Sequence, residues 1–187
     1  MEVTVFNGSP RPRGNTSALV ERIVEGLKAG GVGGRTVTLY DKDLRGCSNC
    51  GACQRGEVPG FCTMEDDMQD LYRTFLEADT VLIASPVYMW QLTPCALSFL
   101  NRLHALKAEG RDLMKGKGLA LAVTMGDGSE CADSAVMGII DFCEYFGMDF
   151  LGMVRIPYAE RGQILDGTHD ERIGSFVDRL CAAVRSG

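Results

Sequence analysis

Four cysteines lie close together in the chain, at Cys47, Cys50, Cys53 and Cys62. Two residues separate the first from the second and the second from the third, and eight separate the third from the fourth. Thiolates this close in sequence can surround one soft metal centre. A run of three cysteines with two-residue gaps suits three corners of a cubane, so the spacing favours a [4Fe-4S] cluster held by a cysteine-rich loop at residues 46–63.

Two other interpretations of these cysteines stay open. Zinc is held by four cysteines in many structural sites, where C-x2-C pairs are common. Closely spaced thiols also oxidise to disulfides once a labile cluster is lost. The gap at 54–61 contains Gly56, Pro59 and Gly60, which predicts a looped-out insertion. That insertion leaves open whether Cys62 joins the other three. Cys95, Cys143 and Cys181 are expected to be packing residues. Packing is also favoured for Cys131, with a role beside a bound ligand as the less favoured alternative, because Cys131 follows the loop at 124–129.

A second chemical motif follows the first predicted strand. Residues 7–17 read Asn-Gly-Ser-Pro-Arg-Pro-Arg-Gly-Asn-Thr-Ser and lead into a predicted helix. Hydroxyls, arginines and the amides of a helix N-terminus are the groups that bind a phosphate monoester. The motif matches neither the dinucleotide fingerprint nor the NTP-binding P-loop, which disfavours both ligands. An ordinary helix cap with solvated arginines is the alternative.

Two further loops follow predicted strands. Residues 86–90 carry Pro, Val, Tyr, Met and Trp, which can form the wall of a site for a flat ring, and residues 124–129 form a glycine-containing loop. Taken alone, an aromatic residue after a strand is more often part of the core than of a ligand site, and a glycine-rich loop is usually a simple turn. In a parallel sheet, however, ligands bind beyond the carboxyl ends of the strands, where all three loops would meet.

Apolar periodicity predicts the elements that position these loops. Strands are expected at 2–6, 35–40, 80–85, 118–124 and 150–154, with helices between them. Thr63 is expected to cap the helix before the third strand, together with Asp66, and 107–117 reads as a solvated connector. Five strands that each precede a helix predict an α/β three-layer sandwich with a five-stranded parallel sheet, in a single domain spanning 1–187.

Composition narrows the class of protein. The chain has 187 residues and a net charge of −6, which argues against nucleic acid or an anionic membrane as a partner. Its apolar runs are too short to span a bilayer, and we expect no signal peptide. Eight cysteines without an export signal predict a reducing compartment, and therefore a cytoplasmic protein.

Taken together, the motifs resemble the iron–sulfur flavoprotein family, which is part of the NADPH-dependent FMN reductase group of flavodoxin-like proteins. The resemblance rests on Asn7–Arg11 with Asn15-Thr16, on the cysteine run, on Asp66–Met68 and on Ser85–Met89. It covers roughly residues 2–106. One departure is the gap before Cys62, which is longer than usual in that family.

The resemblance implies a flavodoxin-like sheet with strand order 2-1-3-4-5 and FMN as the bound nucleotide. The phosphate would lie on Ser9, Arg11, Arg13, Asn15, Thr16 and Ser17. The ring would lie against Pro86, Val87, Tyr88, Met89 and Trp90 on one side and Thr124, Gly126 and Asp127 on the other. The cluster ligands would be the four cysteines named above.

The same resemblance implies electron transfer between a reduced donor, such as NAD(P)H or ferredoxin, and an acceptor, in a homodimer or homotetramer. No catalytic acid or base is expected, because the cofactors carry the chemistry. Two rival classes stay open. One is a cluster-free NAD(P)H:FMN or quinone oxidoreductase, and the other is a non-enzymatic electron carrier. The segment 155–170 is too long for an ordinary connection and is expected to cover a substrate site or contact a second subunit.

Overall fold

The computed structural model describes residues 2–58, 60–108, 110–159, 164 and 166–186. The strands are Glu2–Asn7 (β1), Gly33–Thr38 (β2), Thr80–Pro86 (β3), Lys107–Ala108 (β4), Arg111–Asp112 (β5), Gly118–Thr124 (β6) and Asp149–Ile156 (β7). The α-helices are Asn15–Ala29 (α1), Met68–Glu77 (α2), Pro94–Arg102 (α3), Asp133–Phe146 (α4) and Asp170–Ser186 (α5).

Five strands form one parallel sheet in the order β2-β1-β3-β6-β7. The short strands β4 and β5 pair antiparallel in a separate hairpin. Counted without this hairpin, the order is 2-1-3-4-5, so the predicted α/β sandwich and its strand order are confirmed. The order reverses between β1 and β3, and a parallel sheet offers a ligand crevice at that point.

Both faces of the sheet are covered by helices, because successive side chains of a strand point to opposite faces. Phe6 of β1 packs with α2, α3 and α4 in one apolar cluster, and its ring lies 4.5 Å from that of Phe99. The neighbouring Val5 belongs to a second cluster that contains Ile23 of α1 and Phe176 of α5. β3 and β6 are buried on both faces, as their continuous apolar sequences predict.

The start of α2 differs from its prediction. The helix begins at Met68 rather than after Thr63, so the predicted capping box is wrong. Asp66 does not form a capping box with Thr63. Its fully buried carboxylate instead pairs with Arg102 of α3. A buried charge needs a charged partner, and this long-range pair outweighs the local capping pattern.

Two other segments also differ from prediction. The strand expected at 35–40 lies at Gly33–Thr38 and is followed by a 3-10 turn, Leu39–Asp41. The stretch 107–117 is not a plain solvated connector, because it folds into the β4–β5 hairpin and buries Met114. Among the described residues, no helix is both long and apolar enough to cross a membrane.

Candidate functional site

The loop after β1 is fixed to the rest of the sheet through Gly8. The Gly8 N–H donates to the carbonyl of Ala84 over 2.8 Å, and the hydroxyl of Thr93 donates to the Gly8 carbonyl over 2.8 Å. A Cβ atom at Gly8 would stand 2.9 Å from the Cβ of Ala96. Glycine is therefore required here by close packing against the start of α3.

Beyond Gly8 the loop folds on itself before α1 begins. The hydroxyl of Ser9 accepts a hydrogen bond from the Arg11 N–H over 3.2 Å, and the hydroxyl of Ser17 donates to the Arg11 carbonyl over 2.9 Å. Ser9 and Ser17 are buried, whereas the side chains of Arg11 and Arg13 are exposed. The first turn of α1 contains no acidic residue, so its positive dipole end is not offset by a carboxylate of that turn.

This loop forms one side of a cavity of about 240 Å³ beyond the carboxyl ends of β1, β3 and β6. Across the cavity floor, the hydroxyls of Thr16 and Thr124 lie 2.7 Å apart and share a hydrogen bond. The cavity is lined by Ser9, Arg11, Gly14, Asn15, Thr16, Pro86, Val87, Tyr88, Thr124, Met125, Gly126 and Ala159. One end of the cavity is therefore polar and cationic, and the other end is largely apolar.

The second loop turns sharply at its tip. Tyr88 and Gln91 exchange two backbone hydrogen bonds, of 2.8 and 3.0 Å, and the two residues between them have positive φ angles, 49° at Met89 and 63° at Trp90. Such angles are those of a type I′ turn, which normally carries Asn or Gly. The turn exposes 80% of Met89 and 56% of Trp90 to solvent. Backbone strain of this kind is frequent at binding sites.

A second cavity of about 220 Å³ adjoins the first and shares Val87, Met125 and Gly126 with it. Its remaining lining comes from Met89, Trp90, Asp127 and Cys131. A flat apolar group extending out of the first cavity would therefore lie between the strained turn and the loop after β6.

Most residues of the predicted nucleotide site lie around these two cavities. Arg13, in the loop after β1, and Ser17, in the first turn of α1, do not line either cavity. Gly14 and Met125 lie in the predicted loops but were not named as site residues, and Ala159 was not identified. Packing was favoured for Cys131, which lines the second cavity. Ala159 reaches the cavity from the segment after β7, whose unusual length was the only sequence signal.

The residues present fit FMN in type and placement. A phosphate group finds hydroxyls, an arginine and a helix N-terminus at one end, and a flat ring finds apolar side chains and backbone at the other. The site therefore suits a small phosphorylated ring compound bound at the edge of the sheet.

The cysteine loop lies next to α3 and is divided into two parts. Cys47 and Cys50 are exposed, whereas Cys53 and Cys62 are partly buried and pack against the core cluster around Phe99. Hydrogen bonds from the Ala52 backbone and from the Thr63 hydroxyl lower the pKa of the exposed Cys50 thiol. All eight cysteines are free thiols.

The four sulfur atoms do not converge on one point. Within the part of the chain that the structure describes, no group of three Cys, His, Asp or Glu side chains is arranged to hold a metal ion. The thiol donors suit an iron–sulfur cluster in type, but their arrangement does not form a cage.

The two ends of the cysteine loop are held together by a neck of hydrogen bonds. The Asp67 N–H donates to the Asp43 carbonyl over 3.1 Å, and the carboxylate of Asp67 accepts from the Asp43 N–H over 2.9 Å. Beside them, the Arg45 N–H donates to Asp66 over 3.3 Å. Arg102 contacts both chain segments that form the neck, because its guanidinium donates to the Arg45 carbonyl and to the Asp66 carboxylate. A residue of α3 thus fixes the base of the loop.

The fold and the site define a flavodoxin-like α/β protein with a cavity for a phosphorylated ring at the topological switch point of its sheet. The model of the NADPH-dependent FMN reductase family matches residues 1–155. The chain therefore belongs to that family, and it is an FMN-dependent oxidoreductase.

Curated relatives refine this placement and confirm the predicted resemblance. An iron-sulfur flavoprotein of Methanosarcina thermophila is 28% identical over 152 residues, covering 81% of this chain and 78% of that protein. One from Archaeoglobus fulgidus is 34% identical over 129 residues, covering 68% of this chain and 56% of that protein. The second match thus spans little more than half of its relative.

Solved structures agree on the fold. An NAD(P)H:quinone oxidoreductase from Methanothermobacter marburgensis superposes with a TM-score of 0.75 at 15% identity, covering 97% of this chain and 94% of that one. An FMN-dependent NADH-azoreductase from Bacillus anthracis, solved in complex with FMN, gives a TM-score of 0.72 at 12% identity over 97% of this chain and all of that one.

Proposed function

We propose that this protein transfers electrons from a reduced donor, such as NAD(P)H or ferredoxin, to an acceptor through FMN bound in the two adjoining cavities. The observation that carries the proposal is the placement of a hydroxyl- and arginine-bearing helix N-terminus next to an apolar wall at one edge of the sheet. FMN, when bound, supplies the hydride and electron chemistry. The 187 residues would form one FMN-binding domain.

The chain's own residues would bind and orient the cofactor. Ser9, Thr16 and the first-turn amides of α1 would bind the phosphate, with Arg11 and Arg13 supplying positive charge from the exposed side. Ser17 would hold the loop in shape through its bond to the Arg11 carbonyl. The Met89–Trp90 turn would cover one side of the ring and exclude water from it.

The phosphate assignment is tested by comparing charge-removing variants. Arg11→Ala should weaken FMN binding by at least about tenfold, because a hydrogen bond to a charged group contributes about 1.5–3 kcal/mol and about 1.4 kcal/mol corresponds to a factor of ten. Arg13→Ala should have a smaller effect, since Arg13 does not line the cavity. Lys28→Ala removes the same charge from the other end of α1 and serves as the control. Equal affinities for all three variants and the unchanged protein would show that the phosphate lies elsewhere.

We further propose that Cys47, Cys50, Cys53 and Cys62 are the ligands of an iron–sulfur cluster. Support comes from their spacing, from their free thiols and from the names of the relatives. The sulfurs would have to gather when iron binds, because they do not converge without it.

A second candidate, a cluster-free NAD(P)H:FMN or quinone oxidoreductase, is favoured by that lack of convergence. Anaerobic purification followed by flavin, iron and sulfide assays separates the two. About four irons per chain together with FMN support a [4Fe-4S] flavoprotein. Flavin without iron supports the cluster-free enzyme. FMN that exchanges electrons with ferredoxin but not with NAD(P)H supports a carrier.

Assembly as a homodimer or homotetramer is also part of the proposal. The side chains of Tyr88, Met89 and Trp90 are exposed beside the cavity, and apolar side chains grouped in this way are typical of a contact surface. Light scattering of the FMN-loaded protein measures the mass, and a monomer at micromolar concentration would contradict this part.

A further inference from the structure

The two adjoining cavities carry opposite charges. The first is bordered by Arg11 and by the N-terminus of α1, and the described residues that line it include no carboxylate. Among the described residues that line the second cavity, Asp127 alone is charged. The end of the site that suits a phosphate is therefore cationic, whereas the opposite end bears a carboxylate.

Backbone hydrogen bonds hold the loop that carries Asp127. The Tyr158 N–H donates to the Asp127 carbonyl over 3.0 Å. The Ala159 N–H donates to the Met125 carbonyl over 2.8 Å. The carboxylate of Asp127 itself accepts a hydrogen bond from the Gly128 N–H over 2.9 Å. The segment after β7 thus fixes the loop from one side, and the carboxylate has a defined position beside the cavity.

The charge of Asp127 is not neutralised by a neighbouring cation. Within the part of the chain that the structure describes, neither Asp127 nor Glu130 forms an ion pair. The nearby Arg155 pairs with Asp133 over 2.6 Å instead. Glu130 folds back over Gly128, where an added Cβ would stand 2.2 Å from its carboxylate oxygen. Two unpaired carboxylates therefore flank Gly128.

The other groups of the second cavity are uncharged. Burial raises the pKa of the Cys131 thiol, and the carboxylates of Asp127, Glu130 and Asp133 raise it further, so the thiol stays protonated at neutral pH. The rest of the lining consists of apolar side chains and one glycine, namely Val87, Met89, Trp90, Met125 and Gly126. A ligand in this cavity therefore meets apolar walls and one uncompensated negative charge.

We propose that the second cavity binds flat electron acceptors that are uncharged or cationic and excludes anionic ones, and that Asp127 determines this selectivity. A quinone without acidic substituents would meet the apolar walls, whereas a sulfonate on the same ring would be repelled by the carboxylate. Two unit charges interact about four times more strongly at an effective dielectric constant of about 20 than in water. The inference rests on the proposed function, because it names the class of acceptor for that site.

The first test measures binding at the cavity itself. Trp90 lines the cavity and is the only tryptophan of the chain, so labelling with 5-fluorotryptophan gives one ¹⁹F signal there. FMN-loaded protein is titrated with three redox-inert bicyclic probes, the cation N-methylquinolinium, the uncharged naphthalene-2-methanol and the anion naphthalene-2-sulfonate.

At low ionic strength, the cation and the uncharged probe should bind at least about fivefold more tightly than the sulfonate. Salt should reduce this difference, because it screens exposed charges. Equal affinities for the three probes, or no shift of the Trp90 signal by any of them, would overturn the inference.

The second test assigns the selectivity to one residue. Asp127→Asn removes the charge and keeps an oxygen for the Gly128 N–H, so it should reduce the difference to less than about twofold. Asp178→Asn removes the same charge from the exposed side of α5, outside both cavities, and should leave the difference unchanged. An equal loss in both variants would mean that the net charge of the chain is responsible, and the inference would fail.

Reaction with one acceptor gives an independent readout. Photoreduced, FMN-loaded protein is mixed with anthraquinone-2-sulfonate, and its reoxidation should be at least about threefold faster in Asp127→Asn than in the unchanged protein or in Asp178→Asn. An equal rate in all three proteins would contradict the assignment to Asp127.

FMN content and the thermal midpoint show whether each variant is folded. If Asp127→Asn does not fold, the titration of the unchanged protein at low and high salt decides alone. A protein that binds no FMN overturns the proposed function. The same three-probe titration of the FMN-free protein then still decides whether the second cavity excludes anions.

Discussion

Replacing Gly8 with alanine tests whether the loop after β1 is held rigidly enough to shape the cavity. The added carbon would stand 2.9 Å from the Cβ of Ala96 and 3.0 Å from the hydroxyl oxygen of Thr93. Favourable carbon contacts are about 3.5–4.0 Å long, so either the loop or the start of α3 must move. Overpacking of this kind costs about 1–3 kcal/mol.

Movement of the loop would also strain two hydrogen bonds. These are the 2.8 Å bond from Gly8 to the Ala84 carbonyl and the 2.8 Å bond from Thr93 to the Gly8 carbonyl. Each contributes about 1 kcal/mol. We therefore expect Gly8→Ala to lower the free energy of unfolding by about 2–4 kcal/mol. FMN affinity should fall about tenfold for each 1.4 kcal/mol of lost binding free energy.

Urea unfolding of the FMN-free protein measures the first effect, and quenching of flavin fluorescence measures the second. Gly174→Ala, in the exposed part of α5, is the matched control because nothing lies within 4 Å of its added carbon. That variant should gain about 0.5–1 kcal/mol of stability and keep its FMN affinity. If Gly8→Ala proves as stable and binds FMN as tightly as the unchanged protein, the rigid-loop reasoning is refuted.

Two further predictions concern the cysteine neck and the strained turn. Burial alone raises the pKa of Asp66, but the hydrogen bonds from Arg102 and from the Arg45 backbone outweigh it, so the pKa lies below its usual value. The stabilisation from the Asp66–Arg102 pair is therefore complete above about pH 4 and is lost as the pH falls through the pKa of Asp66 in the folded protein. In urea unfolding between about pH 3 and pH 7, the free energy of unfolding of Asp66→Asn should fall less steeply on acidification than that of the unchanged protein. Met89→Asn with Trp90→Gly places residues that tolerate positive φ at both positions, and it should raise the free energy of unfolding by about 1 kcal/mol while slowing oxidation of the proposed donor NAD(P)H. A turn variant with no gain in stability would mean that the tip is not strained.

Local patterns predicted the sheet well, because they record which side chains are buried. The apolar run Gly118–Thr124 was predicted with the bounds that the structure shows, since a strand covered on both faces needs an unbroken apolar sequence. The loops at the carboxyl ends of β1, β3 and β6 followed from the alternation of strands and helices. Their meeting around one cavity is a consequence of parallel topology.

Contacts between residues that are distant in the sequence could not be predicted from local patterns. Asp66 resembled a helix cap because its position after Thr63 fits a capping box, yet its partner Arg102 lies 36 residues further along the chain. Likewise, nothing around Met89 and Trp90 predicts positive φ angles, because both residue types avoid them. Ala159 enters the cavity only through the packing of the segment after β7.

The sequence by itself determined the class of fold, the place of the nucleotide loops and the identity of the thiol donors. These features depend on residue types and short spacings, which the chain carries locally. Tertiary structure alone decided which residues line the cavities, which two cysteines are anchored and which buried arginine fixes the base of the cysteine loop. Those features depend on contacts between elements distant in sequence, and such contacts exist only once the sheet and its two helical layers have packed.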